Sequence, residues 1–358
     1  MLRLSKFNLK ANWVDKTRVK ELILYRIFTA IWQNRPIIDR YNWDSTVNGL
    51  YHGVTGNIQG FPITLNVNNE FYGMYIFCLP KDGKNYMIDD KDENTGLFVS
   101  GAHNTSNDWG ITLPYKISDH YDSEMDSDNF NDYPKIVEAL TNWTHFINNR
   151  LYEGSDGNNY NSTELTDVDG VMYVTSTLDG GEVVESSIIA ELIPFDREHI
   201  PYRLDLIGFM DYFICMQLFV MIDNTHNNML FYSGSDKEKM YPFFYDLDST
   251  IQESRQGGYK CDILSEGVSL SNDLSLWENI KNEYWDDIIN RYCELRKTYL
   301  SIDYIRSVYE DIVKNIPVSD FYEESVKWGP DINNDSFDAK MKFLELRIKW
   351  LDENYFNI

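Results

Sequence analysis

The chain has 358 residues, 43% of them hydrophobic and 15% aromatic, which is typical of a folded protein and excludes a disordered one. The formal charge of −25, from 57 acidic and 32 basic residues, opposes binding to nucleic acid or to an anionic membrane and favours a basic protein partner. No apolar signal segment and no run of about 18 apolar residues occurs, so we expect no membrane span and a protein that is cytoplasmic as synthesised.

The first segment, residues 1–114, predicts a small α+β lobe. A strand is expected over residues 7–11, followed by a helix with Asp15 as its N-cap and then by a β-hairpin over residues 60–77. The helix carries apolar residues at helical spacing, which are Val19, Leu22, Ile23, Ile27 and Ile31.

The rest of the chain divides into an insertion and a helical part. Residues 115–187 predict a helix over 134–151, followed by a stretch rich in Gly, Asn, Asp, Ser and Thr that we interpret as a loop or short hairpin. Residues 188–358 are expected to be mainly helical, and the last helix, 337–351, places a core-facing row at Phe337, Met341, Leu344 and Ile348. We assign the three segments to a single domain covering residues 1–358.

The most informative segment begins with a strongly apolar helix, predicted over residues 202–221 and buried on most of its faces. A polar run, DNTHNN, follows at residues 223–228, and then two short apolar strands at 229–232 and 240–245 that are separated by turn-forming residues. The hairpin carries the chain out and back. We therefore expect Asp246 and Asp248 to return close to Asp223 and Asn228.

These residue types suit metal-assisted phosphoryl transfer, which depends on positioning and on charge neutralisation. Magnesium is held by carboxylate and amide oxygens while another Asp orients the attacking hydroxyl. Asp223 and Asn228 are five residues apart, the spacing of the catalytic loop of protein kinases, and Asp246 follows a strand as their metal-binding acid does. The alternative is that these Asp and Asn residues cap a helix and fill turns, as they do in many proteins.

Four segments together resemble the CotH kinase-like family. They are KFNLKANWVDKTRVKELILYRIF from residue 6, GFPITLNVNNEFYGMYIF from residue 60, DYFICMQLFVMIDNTHNNMLFY from residue 211 and YDLDST from residue 245. The resemblance implies an α+β, atypical protein-kinase-like two-lobed fold with a strand-rich N-terminal lobe and a mainly helical C-terminal lobe. It also implies Mg²⁺ and ATP as cofactors.

The resemblance assigns roles to individual residues. Asp223 is implied as the catalytic group that orients or deprotonates the hydroxyl, and three residues are implied as magnesium ligands, namely Asn228, Asp246 and Asp248. Lys10 is expected to reach nucleotide phosphates, and Glu21 on the following helix is expected to pair with it. The alternative for Lys10 and Glu21 is that both are solvated surface charges.

One departure from the family bears on activity. Family members carry, before the strand of Lys10, a Ser- and Gly-rich stretch and a basic strand that cover the nucleotide phosphates, whereas nine residues precede Lys10 here. The sequence also contains no G-x-G-x-x-G loop and no G-x-x-x-x-G-K-[ST] loop. We expect the phosphate-covering segment to be missing or supplied by another chain. The sequence is therefore compatible both with an active protein kinase and with a pseudokinase.

Two segments resemble the versions of the family that are encoded in phage and prophage tail or fibre genes. They are IFCLPKDGKNYMID from residue 76 and LWENIKNEYWDDIINRYCELRKTYLS from residue 276. The second function compatible with the sequence is thus a non-catalytic structural or adhesion component of a phage tail or fibre, located in the virion beside other virion proteins. The sequence also leaves a homo-oligomer open.

Overall fold

The computed structural model describes residues 7–12, 15, 17–35, 58–80, 92, 94, 96–100, 134–147, 152–154, 159–160, 165–168, 171–177, 183–191, 193–225, 228–251, 267–268, 275–329 and 336–358. Its N-terminal region begins with a strand and a helix and continues with a β-hairpin. The elements are β1 (Asn8–Lys10), α1 (Lys20–Gln33), β2 (Gly60–Val67) and β3 (Glu70–Cys78). The three strands form an antiparallel sheet in the order β1-β3-β2.

Helix α1 begins later than the sequence predicted. Asp15 is not its N-cap, because the helix starts at Lys20 and Val19 holds the N-cap position. The buried carboxylate of Asp15 instead accepts hydrogen bonds from the backbone N–H groups of Thr17 at 3.0 Å and of Lys20 at 2.8 Å. Asp15 therefore supports the first turn from five residues upstream, since a backbone N–H at a helix start has no partner within the helix.

The predicted insertion is more ordered than its composition indicated. The middle region contains β4 (Leu97–Ser100), α2 (Pro134–Ile147), β5 (Tyr152–Gly154), β6 (Asn159–Tyr160), β7 (Leu165–Val168), β8 (Val171–Thr177) and β9 (Val183–Glu191). In the described part of this region, β5 to β9 form an antiparallel sheet in the order β6-β5-β9-β8-β7. The prediction of a loop or short hairpin was therefore wrong.

The C-terminal region is mainly helical, as predicted, with one hairpin inserted. Its elements are α3 (Ile200–Arg203), α4 (Leu206–Phe219), a 3₁₀ turn (Ile222–Asn224), β10 (Met229–Ser233), β11 (Tyr241–Phe244), α5 (Ser275–Arg296), α6 (Ile302–Val313), α7 (Val318–Trp328), α8 (Phe337–Trp350) and a π-helical turn (Leu351–Tyr355). The hairpin strand β10 also pairs with β4, so the described sheet has the order β11-β10-β4. The sequence did not predict β4.

The helix predicted over residues 202–221 is two helices. The chain is extended at Leu204, with φ −127° and ψ 144°. There it runs beside the start of the hairpin's second strand, where the Asp205 N–H donates to the carbonyl of Met240 at 2.8 Å and the Met240 N–H donates to the carbonyl of Arg203 at 3.0 Å. These strand-like hydrogen bonds end α3 and fix where α4 begins.

Helix α4 lies at the centre of the core. From Gly208 to Phe219 all its residues are buried, including the polar ones. The ring of Tyr212 stacks on Trp277 of α5 with centroids 5.5 Å apart, and Tyr212 also lies 4.3 Å from the ring of Phe244 on β11. The core row of α8 was predicted correctly, since Met341, Leu344 and Ile348 are buried and Phe337 packs, partly buried, against the core. Among the described helices none combines the length and the apolarity that crossing a bilayer requires.

A buried ionic cluster fastens α1 to α4 and α5. Arg35, fully buried just after α1, donates to Asp205 at 2.8 Å and lies 3.3 Å from the carboxylate of Asp211. Arg291 of α5 donates from Nε to the other Asp211 oxygen at 2.7 Å. Gly208 makes room for this cluster, because a Cβ at that position would lie 2.1 Å from Asp205 Oδ2.

Candidate functional site

The hairpin brings the two ends of the predicted site together. Met229 pairs with Phe244 in the β10–β11 register, so Asn228 and Tyr245 lie at the same end of the hairpin. Asn224 joins them, because its side-chain Nδ2 donates to the carbonyl of Tyr245 at 2.7 Å and lies 3.3 Å from that of Asn228. The loop after α4 is therefore tied to the residue that precedes Asp246, although the two are more than 20 residues apart in sequence.

Asp223 and Asn228 contact each other within that loop. Asp223 lies in the 3₁₀ turn that follows α4, and Asn228 precedes β10 with a left-handed backbone, φ 54°. Asn228 Nδ2 donates to Asp223 Oδ2 at 3.1 Å, and both residues are half-buried. This hydrogen bond uses the amide nitrogen of Asn228, so its amide oxygen stays available as a ligand atom.

Lys10 meets Glu21, the partner that was expected, and also meets Asp246. Its Nζ lies 2.5 Å from Glu21 Oε1 on α1 and 2.9 Å from Asp246 Oδ1. Burial works to lower the pKa of Lys10, but the carboxylates of Glu21 and Asp246 raise the pKa above its ordinary value. One ammonium group therefore faces two carboxylates, which leaves an excess of negative charge that an added cation would neutralise.

Glu21 is more deeply buried than a surface charge. Its side chain is 0% exposed, and its Oε1 also accepts a hydrogen bond from the Tyr25 hydroxyl. Its second oxygen, Oε2, is buried and has no hydrogen-bond partner in the described part of the chain. An uncompensated buried oxygen beside Lys10 is a feature that functional sites tolerate more often than structural ones. The alternative of a solvated surface pair is thus wrong for Glu21.

Two residues of α1 that the sequence did not single out contact the segment after Asp246. Tyr25 accepts a hydrogen bond from the Asp246 N–H at 3.1 Å, and Lys20 donates from Nζ to the carbonyls of Asp248 at 2.5 Å and Thr250 at 2.8 Å. Burial lowers the pKa of Lys20 to about 7, although the carboxylate of Asp15 acts in the opposite direction. In the sequence, Tyr25 is connected to the predicted site only by its i,i+4 spacing from Glu21.

Asp248, the third predicted ligand, is bonded to its neighbour in sequence. Its side chain accepts a hydrogen bond from the Ser249 hydroxyl at 3.1 Å. Burial raises its pKa, and the neighbouring carboxylates of Asp246 and Glu21 raise it further. A cation bound nearby would offset this repulsion between carboxylates.

The donor set fits magnesium better than a metal that needs a protein cage. Among the described residues no three His, Cys, Asp or Glu side chains come together as metal ligands. Magnesium is usually bound by one or two carboxylates, with substrate phosphates and water completing its shell. The Asp246 side chain is 38% exposed and Asn228 lies at the same end of the hairpin, so one carboxylate and one amide are the protein groups there that fit this pattern.

Part of the chain matches a known family. Residues 195–351 match the sequence model of the CotH kinase protein family. The matched part is a little under half of the 358 residues and contains Asp223, Asn228, Asp246 and Asp248. It supports a CotH-like, kinase-fold protein with mixed helix and strand. No curated protein matches the chain significantly. Lys10 and Glu21 lie outside the matched residues, so their proximity to Asp246 is an independent geometric observation.

Proposed function

We propose that this protein transfers the γ-phosphoryl group of ATP, with Mg²⁺, to a hydroxyl group of a protein. One observation carries the proposal. Lys10 and Asp246 are separated by 236 positions in sequence, yet their side chains lie 2.9 Å apart. This contact is at the end of the β10–β11 hairpin where Asn228 also lies. A phosphate-binding lysine beside a metal-binding acid is the arrangement that phosphoryl transfer uses.

Each residue has a chemical task in this proposal. Lys10 binds phosphate oxygens, and Glu21 holds the ammonium group in place through the contact at 2.5 Å. Asp246 and Asn228 hold the cation, which when bound neutralises charge on the phosphates. Asp223 accepts the proton of the attacking hydroxyl as the new O–P bond forms and the bond from the γ-phosphorus to the bridging oxygen of ADP breaks.

The charge of the whole chain bears on the acceptor. With a formal charge of −25, the protein attracts basic segments and repels acidic ones at long range. We therefore propose that the hydroxyl lies on a basic protein segment. The negative charge of the protein also repels free ATP, so nucleotide binding depends on magnesium and on Lys10 to offset this repulsion.

The proposal is tested by isothermal titration calorimetry with ATP in the presence and absence of Mg²⁺. The wild-type protein is expected to bind MgATP, and Asp246→Ala is expected to lower the affinity at least about tenfold, because a charge-assisted ligand is lost. Asp236→Ala is a matched control, since Asp236 is an acid in the turn between β10 and β11, at the other end of the hairpin from Asp246. No heat from the wild-type protein at millimolar MgATP would contradict the proposal.

A second function has its own supporting observation. Lys10 pairs with both Glu21 and Asp246, and ion pairs of this kind can serve the fold alone. In that case the protein is a non-catalytic structural or adhesion component, for example of a phage tail or fibre within a virion. A wild-type protein that binds no MgATP, and in which Asp246→Ala lowers the melting temperature, would support this function instead.

A further inference from the structure

The segment from Asp246 to Ile251 has a backbone that needs support from outside. Both its first and its last residue are left-handed, with φ 52° at Asp246 and φ 49° at Ile251. The left-handed backbone conformation is unfavourable for residues other than Gly, and most of all for a β-branched residue such as Ile. Such a conformation persists only where surrounding contacts determine it.

Helix α1 supplies contacts along this segment. The Tyr25 hydroxyl accepts the N–H of Asp246 at 3.1 Å, and Glu21 Oε1 lies 3.4 Å from the N–H of Leu247. Lys20 donates to the carbonyls of Asp248 and Thr250 at 2.5 Å and 2.8 Å. Three side chains from two turns of one helix thus bond to four backbone groups. We call Lys20, Glu21 and Tyr25 the α1 clamp.

The α1 clamp bonds to the backbone of Asp246 and leaves its side chain accessible. The clamp fixes the backbone, whereas 38% of the Asp246 side chain is exposed. Tyr25 itself is 3% exposed, and Lys20 is 1% exposed, so neither can swing away into solvent. A ligand residue that is accessible while its backbone is fixed loses less conformational freedom when it binds a cation.

We propose that Tyr25 and Lys20 are positioning residues that hold the Asp246 segment in its binding conformation. Their effect on MgATP rests on the proposed function, but their effect on the segment itself does not. Neither residue touches the reacting atoms. Glu21 differs from them, because it also pairs with Lys10, so its replacement would directly disturb the lysine that the proposal assigns to phosphate binding.

The test is amide hydrogen exchange in the ligand-free protein, read at single residues by fragmentation mass spectrometry. In Tyr25→Phe the exchange of the Asp246 amide is expected to accelerate about tenfold, the order expected for one lost hydrogen bond. The matched control is Tyr292→Phe, which removes another buried tyrosine hydroxyl, one that donates to Asp352 at 2.5 Å. The control should leave the Asp246 amide unchanged.

A second variant tests the other half of the clamp. Lys20→Met removes both hydrogen bonds that the Lys20 ammonium group donates to the segment, and it keeps an apolar stem of similar length. The Ile251 N–H, which donates to the carbonyl of Phe219 at 2.8 Å, then reports opening of the segment and is expected to exchange several-fold faster. MgATP affinity is measured on the same variants and should fall about fivefold to tenfold in each.

The outcomes separate this inference from the proposed function. Faster exchange confined to the segment, with a wild-type protein that binds no MgATP, supports the clamp and contradicts only the phosphoryl-transfer proposal. Unchanged exchange at Asp246 in Tyr25→Phe and at Ile251 in Lys20→Met overturns the clamp, whatever happens to MgATP. Acceleration spread over the whole chain also overturns it, because that would show a general loss of stability.

Discussion

Asp223→Asn is expected to lower the rate of phosphoryl transfer about a thousandfold, the range seen for loss of a general base. The amide is nearly isosteric with the carboxylate, and its oxygen can still accept the hydrogen bond that Asn228 donates to Asp223 at 3.1 Å. The loop therefore keeps its shape. What is lost is the negative oxygen that accepts the proton of the attacking hydroxyl, so kcat should fall while KM for MgATP changes little.

The measurement is steady-state transfer of labelled phosphate from ATP to a basic protein acceptor, with kcat and KM determined separately. Asp236→Asn serves as the control, because it makes the same chemical change at the far turn of the hairpin. Equal activity in wild type and Asp223→Asn would show that Asp223 has no catalytic role. A loss confined to KM would show that it acts in binding instead.

Asp211→Ala is expected to lower the free energy of unfolding by about 3–5 kcal/mol, the cost of breaking a buried ion pair. Asp211 is fully buried on α4, and both of its oxygens are engaged by guanidinium groups, one on Arg35 and one on Arg291. Arg35 is 0% exposed and would keep a single acidic partner, Asp205. An incompletely compensated charge in the core opposes folding because water cannot solvate it.

Urea denaturation at neutral pH measures this effect. Asp287→Ala is the matched control, since Asp287 pairs with Arg197 at 2.6 Å but both side chains are about half exposed. Exposed pairs contribute about 0–1 kcal/mol, so the control should shift the midpoint only slightly. If both variants lose the same stability, the Arg35–Asp211–Arg291 cluster does not fasten α1 to α4 and α5 in the way described.

Parts of the fold followed from local pattern because their cause is local. Two short apolar strands separated by turn-forming residues predicted the hairpin β10–β11, and the dense apolar composition predicted the buried helix α4. The break at Leu204 was not predicted, because its cause is strand-like pairing with Met240, which is distant in sequence. The sheet containing β8 and β9 was also missed, because a polar, Gly-rich composition is typical of loops whereas strand formation depends on pairing.

Some contacts of the candidate site could likewise be predicted from the sequence, and others could not. Asp223 and Asn228 are close in sequence, so their contact was accessible to a spacing argument. Lys10 and Asp246 were connected only through family resemblance, which gave roles but no geometry. Tyr25 and Lys20 were missed because their partners are backbone groups more than 200 positions away. A backbone group carries no side-chain signal in the sequence, so such contacts become visible only in three dimensions.

The most direct test of the central claim is a crystal structure of the protein with Mn²⁺ and a non-hydrolysable ATP analogue, analysed by anomalous scattering. We expect a manganese peak at the hairpin end, with the Asp246 carboxylate and the Asn228 amide oxygen at about 2.1–2.2 Å, close to the distances that magnesium adopts. A cation bound away from Asp246, or an Asp246 that stays on Lys10 while the nucleotide site is empty, would contradict the claim.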